Sequence, residues 1–367
     1  MKKNLLILVD TIRPMIDGVS TFIHETVGYL SEKYNVTIIA PDYGEINYPN
    51  IKIIKYPVIK LSFIAYGQPR INKKVLKKEI KKADIILNHE SFNPLYPSFY
   101  AIRYAKKYNK PFFTYVHSID WELTTEAVKI PKIIKKISLL FLKLYGRWFL
   151  NKNTAVIVSF PTIKSILKKN KVKVKIERDT IGISDIFKPG ISKFSIKYKI
   201  VIGYVGRISI EKGLDFLYKI FLKLTSKYKN IFLLIVGDGP ARYIFKKNDD
   251  IKITGFVSQK EVAEYFKAMD IFVLPSVTEA NSLSTLEAMK SGVCCVTSDV
   301  GAIKDYLKNE IDGYIFSNRE KLIDILELLI KNEKLRKNMG KNARKSVITY
   351  TWKNTVKNLI DILENNS

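Results

Sequence analysis

The 367-residue sequence predicts an α/β protein of two doubly wound, Rossmann-like domains. Three observations carry that expectation. The apolar runs are short, continuous and rich in β-branched residues, the pattern of parallel strands buried on both faces. Segments of helical periodicity lie between them, giving the βαβ rhythm. The rhythm breaks once, over residues 183–199, where Pro189, Gly190 and several polar residues read as a linker. One domain is therefore expected over residues 1–189 and a second over 190–349, in keeping with roughly 150 residues per domain.

In chain order, residues 4–9 read as the first strand. The short apolar run Leu5–Val9 has no cleavage site after it and is taken as a strand, not a signal peptide. A loop, Asp10–Gly18, leads to a helix carrying Val19, Phe22, Ile23, Thr26, Val27 and Leu30. Strands follow at 36–40 and 51–56, a lysine-rich helix at 69–82, and a strand at 84–88 that runs into His89. A helix at 97–108 precedes strand 111–116, which ends at His117. A basic amphipathic segment covers 131–151, then a strand at 155–159 and a short helix at 163–169. The second set comprises strands at 200–205, 231–236, 251–254, 270–274 and 293–297. Its helices are expected at 213–227, 259–268, from just after the turn 279–282 to near Gly292, and at 319–331, 333–347 and 352–364. Binding sites of such sheets lie beyond the carboxyl ends of the strands, which directs attention to loops 10–18, 88–94 and 117–126.

Hydrophobic residues make up 47% of the chain, enough for packed cores. No apolar run approaches the ~20 residues of a membrane span. Cys294 and Cys295 are adjacent in an apolar run and read as small buried hydrophobes in a reducing compartment. The net charge is +27, and residues 1–190 carry 33 Lys and Arg against 15 Asp and Glu. That field favours anionic partners such as phosphates or anionic lipid, or is simply the solvated surface of a lysine-rich chain. No zinc-finger, helix-turn-helix or RNP-like pattern is present, so no nucleic-acid partner is expected.

Several motifs fall at strand ends. Gly206-Arg207 follows a strand and Lys212-Gly213 opens a helix, so Arg207 and Lys212 are placed to meet one anion. Gly237-Asp238-Gly239-Pro240 lacks the third glycine of a dinucleotide fingerprint and reads as a tight turn. Gly255-Phe256-Val257 ends a strand and either lines a base pocket or is an ordinary loop. Glu279 and Glu287 are eight positions apart around a helix start, and a helix N-terminus is a seat for phosphate. Glu287 also fits a capping box, Ser284-Thr285-Leu286-Glu287. Asp17-Gly18-Val19 opens the first helix, either as a phosphate approach or as a turn. His117 is either a site residue or structural; His89 has a similar position, and His24 reads as structural. The three histidines assemble no triad and no metal site. On segment 130–148, Ile130, Ile134, Ile137, Phe141, Leu144 and Trp148 form an apolar stripe, with Lys132, Lys135, Lys136, Lys143 and Arg147 on other faces. That is either a helix lying on an anionic membrane or a core helix with a basic outer face.

Jointly, these motifs resemble the family-4 glycosyltransferases of the GT-B fold. The match runs through Asp17-Gly18-Val19, His117, Thr180-Ile181-Gly182-Ile183, Phe187-Lys188-Pro189, Gly206-Arg207, Glu211-Lys212-Gly213, Val236–Pro240 and Gly255-Phe256. It continues through Pro275-Ser276, Glu279, Leu283, Glu287-Ala288-Met289, Ser291-Gly292-Val293, Ser298–Gly301 and Asp312–Phe316. The resemblance implies two Rossmann-like domains facing each other across a cleft, with the terminal helix 350–367 returning to the first. It implies transfer of a hexose, with retention, from a UDP- or GDP-sugar to a hydroxyl of a membrane lipid or cell-surface glycan. Arg207 and Lys212 would bind the diphosphate and steady the leaving group, with no metal and no cofactor. Glu287 would hold the ribose and Glu279 the donor sugar. Backbone near Asn281, Ser282 and Leu283 would contact phosphate or sugar, and Val257 would line the base. His117 would face the sugar, and Gly18 would let its loop close on phosphate. The leaving phosphate itself would deprotonate the acceptor. Candidate acceptor loops are 89–97 and 120–126. A cytoplasmic protein, peripheral on the inner face of the membrane, is expected. The family's usual Glu-Gly-Phe-Gly is here Glu279-Ala280-Asn281-Ser282, which leaves the sugar open. The rival readings are a nucleotide-sugar epimerase or other GT-B enzyme, and an inactive scaffold.

Overall fold

The structure, a computed structural model, describes residues 1–15, 17–59, 68–90, 96–119, 132–194, 200–246 and 248–367. The chain divides into two units, Met1–Gly182 with Trp352–Ser367, and Ile183–Thr351. The first crossing precedes residue 189 because the segment from Ile183 is tied into the second unit. The Ile183 N–H donates to the Tyr350 carbonyl at 3.2 Å, and the buried Lys290 ammonium donates to the Ile183 carbonyl at 2.8 Å.

The first unit contains β1 (Asn4–Leu8), α1 (Gly18–Lys33), β2 (Asn35–Pro41), β3 (Lys52–Tyr56), β4 (Val58–Ile59), β5 (Gln68–Pro69), α2 (Lys73–Lys82) and β6 (Ile85–Asn88). It continues with α3 (Pro97–Lys107), β7 (Phe112–Val116), α4 (Lys132–Leu150), β8 (Ala155–Val158), α5 (Pro161–Lys169) and β9 (Ile176–Arg178). Its main sheet is parallel in the order β3-β2-β1-β6-β7-β8-β9. Leu5–Leu8 of β1 lie between Val36–Ile39 and Ile85–Asn88, all but Thr37 of them buried. Leu76, Ile80, Ala101, Ile102, Phe149 and Leu150 close the core over that sheet.

The helix expected from Pro69 begins instead at Lys73. Asn72 caps it through Lys74 and Val75 N–H, while Gln68–Pro69 pairs antiparallel with Val58–Ile59. Proline lacks the N–H of a helix interior and restrains its predecessor to extended backbone, so a strand is the natural state there.

The second unit contains β10 (Ile200–Val205), α6 (Leu214–Lys227), β11 (Ile231–Val236), β12 (Ile251–Ile253), α7 (Gln259–Lys267), β13 (Ile271–Leu274), α8 (Leu283–Lys290), β14 (Cys294–Ser298), β15 (Gly313–Phe316), α9 (Arg319–Lys331) and α10 (Glu333–Val347). The order β12-β11-β10-β13-β14-β15 is again all parallel. This is the doubly wound order, with its reversal between β10 and β13, where ligands of such sheets bind. Cys294 and Cys295 are free and buried in β14, and burial pushes the Cys294 thiol up to about 12, so it stays protonated.

The last helix, α11 (Trp352–Asn365), belongs to the first unit and packs along α1. Trp352 is buried, edge-on to Phe22 with ring centroids 5.6 Å apart. Gly182 makes room for it: a Cβ there would lie 2.4 Å from the indole. Gly182→Ala is therefore expected to lower stability by about 1–3 kcal/mol through overpacking, read as a lower urea midpoint with unchanged slope. A neutral result would mean that α11 is not clamped at this point.

Candidate active site

Three charged residues of the second unit, Arg207, Lys212 and Glu279, lie on loops at the reversal of its sheet. After β10 the chain turns through Gly206 and Arg207. The Tyr204 hydroxyl donates to the Arg207 carbonyl at 2.8 Å, fixing the turn and leaving the guanidinium side chain exposed. The Gly237–Pro240 turn supports this loop from the neighbouring strand: Gly206 N–H donates to Val236 O at 3.0 Å and Ile208 N–H to Asp238 O at 2.9 Å. Asp238 pairs with Arg242 at 2.9 Å. The turn thus acts as packing beneath Arg207.

Lys212 ends a single 3-10 turn, Ile210–Lys212, immediately before Gly213 and α6. Gly213 has φ +65°, and a Cβ there would lie 2.2 Å from the Pro275 carbonyl oxygen. Only glycine allows this approach. The Val277 N–H donates to Glu211 O at 2.8 Å, so the loops after β10 and β13 are joined.

That junction brings Lys212 and Glu279 together. The Lys212 ammonium lies 2.6 Å from Glu279 Oε1, and these side chains are 22% and 10% exposed. The Ser276 hydroxyl donates to the same oxygen at 2.9 Å. Ser298 Oγ in turn donates to the Ser276 carbonyl at 2.6 Å. Gly301, φ +55°, lets its backbone approach the Glu279 and Ala280 carbonyls, where a Cβ would stand at 2.3 and 2.6 Å. The Ala302 N–H donates to Ala280 O at 3.1 Å. The carboxylate is therefore held by its own loop and by the turn after β14.

Ser282 is the N-cap of α8: its hydroxyl accepts the Thr285 N–H at 3.2 Å. Of the two readings of Glu287, the capping box at Ser284–Glu287 is not formed. The cap lies two residues earlier, and Glu287 is the fifth helical residue, half-buried and beyond the reach of a capping role. Asn281 and Leu283 flank Ser282 and are half-buried. Val257, half-buried, follows β12, while its neighbour Phe256 is 76% exposed.

In the first unit, Gly18 is the first residue of α1. Asp17 caps that helix, accepting Ser20 N–H at 2.7 Å and the Thr11 hydroxyl at 3.0 Å. The dipole end of α1 thus already faces a carboxylate. His117 follows β7 and His89 follows the adjacent β6; His89 Nδ1 and His117 Nε2 are 2.8 Å apart. His89 is buried and His117 half-buried. Burial lowers His117 to about 3 and His89 well below its ordinary value, so both rings are neutral at pH 7. His24 is exposed on α1, near the Tyr48 ring.

Two buried carboxyls join this edge. Glu90 accepts the Ser98 N–H at 2.7 Å, near the start of α3, and burial raises it to about 8. Asp179, after β9, is likewise raised by burial to about 8. Sequence patterning singled out neither, nor the pairing of His89 with His117. The available signal was that each residue lies within two positions of a strand's end; the strand order is what makes neighbours of them. The expected acceptor loop 120–126 lies outside the described residues, as do residues 91–95 of the other. Among the described residues, no cluster of His, Cys, Asp or Glu has the arrangement of a metal site.

Two Rossmann-like units of these strand orders, one carrying a cation–carboxylate pair at its switch point, define a two-domain α/β enzyme of the GT-B kind. The model described as glycosyl transferases group 1 matches residues 191–346, and that described as glycosyltransferase family 4 matches residues 16–178. The chain belongs to these family-4 type GT-B glycosyltransferases and is itself a glycosyltransferase. An uncharacterized glycosyltransferase of Methanocaldococcus jannaschii is 27% identical, covering 99% of this chain and 98% of that protein. The alpha-monoglucosyldiacylglycerol synthase of Streptococcus pneumoniae is 24% identical, covering 88% of this chain and 78% of its own. The crystal structure of Anabaena HepE in complex with UDP and glucose superposes with TM-score 0.78 at 14% identity, covering 99% of this chain and 100% of that one, a likeness of fold.

The buried groups set a pH dependence. A carboxyl raised to about 8 contributes stability that is complete below its unfolded value and lost as pH rises through 8. A histidine lowered from 6.5 contributes stability present above 6.5 and lost as pH falls below it. Stability is therefore expected to rise as pH falls from 8 to 6.5, by at most about 1.4 kcal/mol per pH unit for each carboxyl, and then to level off. Glu90→Gln should remove about half of that slope in urea titrations; a flat wild-type profile would place the carboxyls in a wetter setting.

Proposed function

We propose that this enzyme transfers a hexose, with retention of anomeric configuration, from a UDP- or GDP-sugar to a hydroxyl of a membrane lipid or cell-surface glycan. The observation that carries the donor half is the Lys212–Glu279 contact at the switch point, with Arg207 on the adjoining loop. A diphosphate offers Lys212 and Arg207 more charge than one carboxylate does. As the phosphate takes the Lys212 ammonium, Glu279 is released to accept hydrogen bonds from sugar hydroxyls. The two cations then stabilise the charge that grows on the leaving diphosphate, so no metal or cofactor is invoked. Glu287 is read as the ribose contact, Val257 as part of the base wall, and Asn281–Leu283 as the phosphate-facing edge of α8. Gly18 is read as the point where the loop before α1 approaches phosphate. The leaving phosphate takes the acceptor proton, and neutral His117 serves as a hydrogen-bond partner of a substrate hydroxyl. The UDP in the HepE complex and the glycolipid named in the pneumococcal synthase support the donor and acceptor classes.

The acceptor half rests on α4. Its inner face packs on the core through Leu139, Leu142, Tyr145 and Trp148. The expected single stripe is in fact split, and Ile137, Leu140, Phe141 and Leu144 are 54–63% exposed. Exposed Lys136 and Lys143 stand on the same helix. An apolar ridge flanked by ammonium groups matches the interface of an anionic bilayer. Burying four half-exposed side chains is worth on the order of 4 kcal/mol, with about 1 kcal/mol more for each lysine near anionic head groups. No described helix is long and apolar enough to cross a membrane. The attachment is read as peripheral, at the inner face of the cell membrane, from the α4 ridge.

Two measurements test this. A saturating nucleoside diphosphate should stabilise the folded protein, by about 2.7 kcal/mol at a hundredfold excess over Kd; no response to UDP, GDP or their sugars would remove the donor assignment. Sedimentation with phosphatidylglycerol vesicles should capture the protein, and Phe141→Asp with Leu144→Asp should release it. Capture unaffected by those changes, or none at low salt, would remove the membrane assignment.

A further inference from the structure

The paired histidines follow the carboxyl ends of two adjacent central strands of the first sheet, and only one of the two facing nitrogens carries the shared proton. His89 is 2% exposed. Its ring packs on Phe22 at 5.3 Å and on Tyr115 at 5.4 Å, the latter stacked. Its Nε2 is buried and has no hydrogen-bond partner among the described residues. A buried N–H without a partner is rarer than an under-satisfied acceptor, and leaving such a donor unmade carries a full desolvation penalty. The bare nitrogen of His89 is therefore Nε2, and its proton sits on Nδ1, facing His117.

We infer that His89 is a positioning residue: it donates from Nδ1 to His117 Nε2 and thereby holds His117 as the neutral tautomer protonated at Nδ1. A neutral imidazole has one donor and one acceptor nitrogen. With Nε2 occupied as acceptor, the proton of neutral His117 is on Nδ1. His117 is not a base through Nε2. Tyr115 at 4.8 Å and Phe22 at 5.1 Å hold the plane of the His117 ring, so the hydrogen bond fixes rotation within a slot already formed by packing. Tyr115 is anchored at its far end by the Ser159 hydroxyl at 2.9 Å. The inference rests on the reading that His117 serves the transfer, but its first test does not.

In ¹⁵N-histidine-labelled protein at neutral pH, long-range proton–nitrogen spectra should show His117 with a protonated Nδ1 and a bare Nε2, and His89 likewise. His117 protonated at Nε2 would overturn the inference. In His89→Leu, which removes the donor, the His117 proton should move to Nε2. In His89→Asn, whose amide nitrogen replaces Nδ1, it should stay on Nδ1. An unchanged His117 tautomer in folded His89→Leu would also overturn it. Turnover of UDP-glucose or GDP-mannose, whichever the enzyme consumes, should fall about tenfold in His89→Leu and recover most of that in His89→Asn. Equal losses in both variants would contradict positioning. If the spectra agree but neither sugar nucleotide is consumed, the tautomer assignment stands and the proposed reaction falls.

Discussion

The contact between Lys212 and Glu279 is the interaction on which the second unit's site depends. Its partners are far apart in sequence and meet only because β10 and β13 are neighbours in the sheet. The surrounding loops are shaped to permit that meeting. Gly213 lies against the Pro275 carbonyl, Gly301 lies under Glu279 and Ala280, and Ser276 and Ser298 link the two strand ends by side-chain hydrogen bonds. A half-buried ion pair adds little net stability, because desolvation offsets much of the attraction. What it does supply is two opposite charges, fixed in position, at the point where ligands of this sheet type bind. The loops keep their shape by steric and hydrogen-bonding means, so the pair can exchange partners without the loops losing their form.

The two units solve the same placement problem with different electrostatics. Both gather polar side chains beyond the carboxyl ends of a parallel sheet, near its reversal. The second sets Lys212 and Glu279 in contact while leaving both partly exposed. The first buries its groups and keeps them neutral: His89 and His117 are neutral imidazoles, and Glu90 and Asp179 hold their protons near neutrality. Burial is the leading cause in every one of these cases. A neutral, hydrogen-bonding edge suits the recognition of hydroxyl groups, which carry no charge to match. The excess of lysine in this half of the sequence lies elsewhere, on surface helices such as α2 and α4.

Much of this was legible in the sequence, for physical reasons. Strands buried on both faces must be continuously apolar, so β1, β2, β7, β8, β10, β11 and β13 stood out. The edge strands β9, Ile176-Glu177-Arg178, and β15, Gly313–Phe316, are short or carry charge and gave no such signal. The start of α8 after Ser282 was readable, but its cap was not, because Ser282 and Ser284 both suit one and only the backbone shows which hydroxyl accepts the Thr285 N–H. The amphipathic nature of α4 was readable, and Ile137, Phe141 and Leu144 of the expected stripe form its exposed ridge; the inner face, Leu139, Leu142 and Tyr145, was not read, since periodicity cannot tell which face the protein covers. Lys212 and Glu279 were each identifiable as candidates. Their contact was not, because it depends on sheet order and not on spacing along the chain.

Binding of the nucleoside diphosphate, measured by calorimetry on wild type, Lys212→Met, Glu279→Gln and the double variant, bears most directly on that contact. If Lys212 must leave Glu279 to hold the diphosphate, Glu279→Gln should bind UDP or GDP several-fold more tightly than wild type, and Lys212→Met should bind it more weakly. In the Lys212→Met background the Glu279→Gln gain should vanish. A weaker complex in Glu279→Gln, or equal effects of Glu279→Gln with and without Lys212, would contradict the exchange of partners at this site.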